Sequence, residues 1–317
     1  MSQTPDAAAP VAPPRGLMRG LPYLFLLITT LTWAGHVVVA KGLSGSLPPV
    51  ALAFWRTLIA TLILLPLGWT HVRRDWAVIR RSLPALAMIA VPSVALFNLF
   101  LYEAVETTTA INVSLISTTM PAMIILLAWL ILKQRLHAQQ LAGMLLSAAG
   151  ALLVIMHGDW YALAHLEFVR GDLWMVAAVA ATALYSVLLH FRPPIHSLSL
   201  ALMMFLIGTP LLLPVYLWDL YGSGHTFTLT AGVAAGIGYI ALFPSVIAYL
   251  CWNRGIEMVG ASRAGLFMNF IPVFVAMLAY LFLDEMLYWY HPTGLLIILC
   301  GVFLFNRLPA TETRARP

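Results

Sequence analysis

Charge is scarce in this chain. Only 9% of its 317 residues are Asp, Glu, Lys or Arg, against about 25% in a soluble domain. A water-facing surface cannot be built from so few ions, and the 62% hydrophobic content argues against an ordinary soluble globule. Cysteine is nearly absent: Cys251 and Cys300 both fall in apolar runs, which argues against a disulfide framework or a thiolate metal site. No acidic residue lies deep in an apolar run, and no nucleophile with its base, phosphate loop or metal-ligand cluster can be found. The nearest candidate, His157-Gly158-Asp159, has no supporting partner in sequence. The expectation is a protein that is not an enzyme and uses no cofactor or metal.

What the chain does have is apolar length. Runs of around 20 residues recur, each long enough to cross a hydrocarbon core of about 30 Å as a helix. The runs are continuous rather than alternating, which excludes a membrane barrel. Ten spans are expected, at roughly 22–40, 48–70, 83–103, 107–131, 138–157, 172–191, 198–219, 229–252, 260–283 and 289–306. Residues 1–20, rich in Ala and Pro, read as a disordered cytoplasmic tail, and residues 308–317 as a cytoplasmic tail. The fold class is an all-α integral membrane protein.

The net charge of +5 is not a nucleic-acid patch, because the basic residues sit in short clusters between spans. With the N-terminus inside, 14 of the 17 Lys and Arg residues fall on the cytoplasmic side, and Arg56 lies within a span. Only Lys41 and Arg170 fall outside, with Glu103, Glu106, Asp159, Glu167, Asp172, Asp219, Asp284 and Glu285. This positive-inside bias predicts ten helices with both termini cytoplasmic, in a cell inner membrane.

A duplication underlies the pattern. Shifting the sequence by 151 aligns 98–156 with 249–307 without a gap, giving 14 identities in 59 positions. Among them are Glu106/Glu257, Pro121/Pro272, Gly143/Gly294 and Gly150/Gly301. A one-residue slip adds Pro92-Ser93-Val94 against Pro244-Ser245-Val246. Residues 21–157 and 170–307 thus read as two five-helix repeats. Five is odd, so the repeats have inverted topology, as secondary transporters with alternating access often do.

The segment TTTAINVSLISTTMPAMIILLAWLILKQRL (107–136) followed by Gly143 and Gly150 resembles the EamA family of the drug/metabolite transporter superfamily. So do GASRAGLFMNFIPVFVAMLAYLFLDEML (260–287), TWAGHVVVAKG (32–42) and FWR (54–56). In this chain Lys133-Gln134-Arg135 replaces the usual Gly-Glu-Arg, and His36 stands where a small polar residue or Asn is expected. The resemblance implies a ten-helix carrier similar to bacterial amino-acid exporters, the aromatic amino-acid branch among them.

Candidate cavity residues follow from position. Asn98 and Tyr102 share one face of the third span and map onto Tyr249 and Asn253 on the eighth. They read as outer and inner gates of one path, or as simple interhelical hydrogen bonds. Pro121 and Pro272 break the fourth and ninth spans, freeing the carbonyls of Ser117 and Met268 beside Ser114, Thr118 and Asn269. Pro92 and Pro244 are expected to break the third and eighth.

Trp33, with Tyr185 as its counterpart on the sixth span and Phe97 nearby, forms either a stacking surface or packing. Trp69, Trp76, Trp160, Trp174, Trp218 and Trp289 read as interfacial belts. Arg56 snorkels, pairs with Glu103 or Glu106, or attracts a substrate carboxylate. His36 is a proton acceptor or a packing residue. Gly143, Gly150, Gly294 and Gly301 mark packing seams within or between protomers.

Aromatics mixed with neutral hydrogen-bonding groups suit a zwitterion, so the expected partners are amino acids and the lipid bilayer. An exporter of drugs or lipophilic cations, which should carry an intramembrane acid, is the first alternative; a lipid-modifying membrane enzyme is the second.

Overall fold

The computed structural model describes residues 20–133, 138–159, 169–259, 267–268 and 270–306. Both expected tails (apart from Gly20), Trp160, Glu167 and Asn269 lie outside these residues, as does the side chain of Asn253. Among the described residues every regular element is a helix, because a backbone in lipid must satisfy its N–H and C=O groups within its own segment. The elements are α1 (Leu21–Gly42), α2 (Pro49–Arg81), α3 (Leu83–Ala90), α4 (Phe97–Thr107), α5 (Ala110–Ser117), α6 (Met120–Leu132) and α7 (Ala138–Ile155). There follow α8 (Arg170–Leu188), α9 (Ser197–Tyr221), α10 (Ala231–Leu242), α11 (Ala248–Val259), α12 (Phe270–Leu283) and α13 (Tyr290–Asn306). A π-helical turn, Val91–Leu96, joins α3 to α4, and another, Phe243–Ile247, joins α10 to α11.

Six continuous stretches are long and apolar enough to cross a bilayer: Leu21–Gly42, Pro49–Arg81, Leu83–Thr107, Arg170–Phe191, Ser197–Tyr221 and Ala231–Trp252. The α5/α6 pair, bent by 44°, makes a seventh if counted as one span. Leu141–Ile155, Phe270–Leu283 and Tyr290–Leu304 are apolar but shorter. At 33 residues, α2 is about 50 Å long, so its last turns, with Arg73, Arg74, Asp75, Arg80 and Arg81, project beyond any apolar layer.

The two ends of the bundle differ in charge. Glu106, Asp172 and Glu285 bond to Gly45, Thr108 and Ala110 at one end, here termed acidic. At the basic end, Asp75 accepts from the Ser199 hydroxyl (2.6 Å) and the His196 amide (2.8 Å) at the start of α9. Those two donors hold its carboxyl below the usual carboxylate range.

Packing is reciprocal. The most extensive interface joins α7 to α13, followed by α2 with α9. In addition α1 packs on α11 and α12, and α8 packs on α4, α5 and α6. Glycine makes the first interface: a Cβ on Gly150 would stand 2.8 Å from the carbonyl oxygen of Gly294, and one on Gly301 would stand 2.6 Å from that of Gly143. The predicted seams therefore lie within one chain. Between α2 and α9, Thr61 and Thr209 share a hydroxyl hydrogen bond of 2.8 Å.

Of the altered Gly-Glu-Arg triplet only Lys133, at the end of α6, is described; Gln134 and Arg135 lie outside the described residues. Lys133 has φ 53°, and Asp284, its counterpart at a shift of 151 and the residue after α12, has φ 54°. Both copies turn through a left-handed residue, the backbone that favours glycine, yet neither has one. The belt reading divides: Trp69, Trp76, Trp218 and Trp289 are exposed. Trp174 is instead half-buried, 5.2 Å from the Phe100 ring, with the Arg170 guanidinium 6.0 Å above it.

Candidate functional site

The predicted breaks at Pro92 and Pro244 are not breaks. The chain stays helical and widens by one residue into a π turn at each. Proline has no N–H and its ring crowds the carbonyl four residues back; a wider turn relieves both. A serine follows each proline and donates to a carbonyl of the preceding turn. Ser93 Oγ donates to the Ile89 carbonyl at 3.0 Å. Ser245 Oγ donates at 2.9 Å to the carbonyl of Ile240, four residues before Pro244. Asn98 Nδ2 donates to the Val94 carbonyl at 2.9 Å, tying α4 to the first π turn.

Arg56, from the second turn of α2, reaches both devices. Its Nη1 donates to Asn98 Oδ1, and its Nη2 donates to Ser245 Oγ at 2.8 Å. The residue is only 7% exposed, and its Nε is buried without a hydrogen-bond partner. This corrects the expected pairing with Glu103 or Glu106: both partners are neutral, and Glu106 instead accepts from the Gly45 amide at 3.2 Å. Among the described residues no carboxylate is ion-paired with Arg56. On insertion scales a central arginine costs about 2.5–3.5 kcal/mol, and two neutral acceptors offset only part of that.

One turn toward the acidic end, His36 Nε2 and Tyr102 Oη are 2.9 Å apart, both buried. Asn98 and Tyr102 do share a face of α4, but they serve different partners on α2 and α1. Lys41 Nζ donates to the Val105 carbonyl at 2.7 Å, placing a cation at the C-terminus of α4. Tyr249 Oη reaches the Ser197 carbonyl at 3.5 Å at the basic end.

Pro121 stands in the first turn of α6, just after the 44° bend. Ser114 and Ser117 in α5, and Thr118 and Thr119 at the bend, each donate to a carbonyl of α5, at Ile111, Val113, Leu115 and Ile116. Pro272 is buried in the first turn of α12. Trp33 lies 5.4 Å from the Trp252 ring, Tyr185 packs against the small core cluster that contains Ile89, Val94 and Met204, and Phe97 is half-buried on the main core.

The acidic end carries a polar cluster that the sequence did not single out. Asp172, fully buried, accepts from Thr108 Oγ1 at 2.5 Å. Asn112 Oδ1 lies 3.2 Å from His291 Nε2, and its Nδ2 lies 3.1 Å from His157 Nε2. Glu285 accepts from the amides of Ala110 (2.8 Å) and Ile111 (3.1 Å), the free N–H groups that open α5. Here α5 packs on α1, α8 and α12, whereas α6 beyond the bend packs chiefly on α8. Ser245 and Asn112 were missed because each is unremarkable until a residue from the other half of the chain meets it. Their one available signal was position: the first follows a repeated proline, and the second opens the repeated 107–136 segment. A cavity of about 430 Å³ opens at the acidic end between Ser46 and Phe227. None of its lining residues belongs to the Arg56 cluster.

The sequence profile of the EamA-like transporter family matches residues 20–156 and 169–307. An uncharacterized transporter of Archaeoglobus fulgidus is 28% identical over 294 residues, covering 90% of this chain and 98% of the relative. A protein of Streptantibioticus cattleyicolor named a probable terminal-alkyne amino-acid exporter is 26% identical over 291 residues, covering 89% and 92%. A crystal structure superposes with a TM-score of 0.59 at 18% identity, covering 89% of this chain and 95% of the other, a likeness of fold alone.

Proposed function

Because this multi-pass membrane protein belongs to the EamA-like transporter family, we propose that it exports amino acids by alternating access, across a cell inner membrane. In this reading ten helices form two inverted five-helix repeats with both termini cytoplasmic. The acidic end then faces outward. The reciprocal packing of α1 on α11/α12 and of α8 on α4–α6 supports the inverted arrangement. Amino acids, aromatic ones included, suit a core of Arg56, Asn98, His36, Tyr102 and Ser245 bordered by Trp33 and Trp252. The name of the Streptantibioticus cattleyicolor relative points the same way.

One observation carries the proposal. Arg56 bonds the π turn of one half and the asparagine that closes the π turn of the other, so a single side chain senses the relative position of both. A carrier whose halves rock against each other must remake this joint in each cycle. The test is counterflow into liposomes of purified protein, with labelled phenylalanine, threonine and glutamate beside a lipophilic cation. Exchange of the amino acids alone supports the proposal. Exchange of the cation alone sinks it in favour of the drug exporter.

A further inference from the structure

We infer that the Arg56 guanidinium is the receptor for a single carboxylate on the substrate, and that Asn98 and Ser245 are the positioning residues that hold it for that purpose. The inference rests on the carrier reading and deepens it by naming the charge the substrate must bring.

A guanidinium has five N–H donors and no acceptor. Here two are taken by neutral oxygens, at Asn98 and Ser245, while Nε is buried and unpartnered. Hydrogen bonds to an ionised acceptor are roughly twice as strong as neutral ones, and carboxylate matches the guanidinium fork in a bidentate way. A monoanion arriving at Nε and one Nη therefore exchanges weak partners for strong ones and neutralises the buried cation. Asn98 is itself anchored to the Val94 carbonyl and Ser245 to that of Ile240, so the fork is held in one plane before anything binds.

The same inventory limits the ligand. Among the described residues Arg56 is the one cation in the cluster; Lys41 is committed to the Val105 carbonyl toward the acidic end. One positive charge suits one carboxylate, not a phosphate dianion, and it repels an amine without a carboxylate.

The test is counterflow with four compounds sharing one ring: phenylalanine, 3-phenylpropionate, phenylalaninamide and phenethylamine. Carriage of phenylalanine, with at least tenfold slower carriage of the amide and the amine, supports the inference. Carriage of 3-phenylpropionate alone keeps the carboxylate receptor and overturns the amino-acid proposal. Equal carriage of acid and amine, or of none of the four, overturns the receptor. The wild-type protein alone decides this, so nothing depends on a variant folding. R56Q and R56K then assign the residue. Phenylalanine exchange should fall at least tenfold in R56Q and partly return in R56K, while wild-type exchange in a monodisperse R56Q excludes Arg56.

Discussion

Arg56 and Ser245 stand 189 residues apart in the chain and 2.8 Å apart in space. Their bond ties α2 to the turn where Pro244 has removed a backbone donor. The same hydroxyl accepts from the guanidinium and donates to the carbonyl that the proline left free, so local repair and long-range contact are one arrangement.

Substituting Ser245 by Ala should therefore act twice. An unsatisfied buried group costs about 1–3 kcal/mol, and S245A leaves one Arg56 N–H without its partner and removes the hydroxyl bond to the Ile240 carbonyl. Chemical denaturation in detergent should show a loss in that range, with slowed counterflow. A variant as stable and as active as the parent would mean that the joint is incidental.

The helix ends offer a gain instead. A non-glycine residue in the left-handed region costs about 1–2 kcal/mol, and Lys133 and Asp284 both sit there. K133G and D284G should each raise stability by about 1 kcal/mol, read as a higher melting temperature. Destabilisation by both would show that each side chain has a compensating contact.

Close approach governs α7 and α13. G150L should prevent assembly of a monodisperse protein, since even a Cβ at that position would crowd the Gly294 carbonyl. G238A, where a Cβ meets nothing within 4 Å, is the control. It should leave size-exclusion behaviour unchanged and stabilise by about 0.4–1 kcal/mol through the unfolded chain.

Glu285 ties the residues after α12 to the start of α5 by accepting from its first amides, a contact that outward opening of the proposed carrier would have to break. In a background lacking Cys251 and Cys300, a cysteine at position 102 should react slowly with a polar thiol reagent. Adding E285A should speed that reaction at least several-fold. An unchanged rate would place the closure elsewhere, in the Asp172–Asn112–His291 cluster.

Asp75 makes a pH prediction. Its carboxyl is held low by Ser199 and His196, so the charged form is favoured by folding. That stability is fully present above the unfolded value of about 3.9 and is lost as pH falls through the lower folded value. The site is exposed, so D75N should cost less than about 1 kcal/mol near neutrality. The gap between the two melting curves should close on acidification; a gap independent of pH would exclude the carboxylate as its source.

Much of this protein is legible in residue order alone. Apolar length announces helices, because only a helix satisfies its own backbone in lipid. Recurrence at 151 announces two halves, and the paired Pro-Ser dipeptides mark equivalent turns. The chemistry of Arg56 as a cation needing a reason is also visible, because charge is so rare around it. What the order does not disclose is which residues meet. A soluble helix reveals its buried face by alternating polar and apolar residues. A membrane helix is apolar on the lipid side and apolar on the core side, so periodicity loses its power to orient it. Hence Glu103 and Glu106 looked like partners for Arg56, whereas packing rotated α2 toward Asn98 and Ser245; nor did sequence disclose that Trp33 would sit against Trp252. Pro92 and Pro244 show the same division at short range. Sequence places the missing donor, but only the surrounding helices, holding both segments continuous, decide that the backbone widens into a π turn rather than breaking.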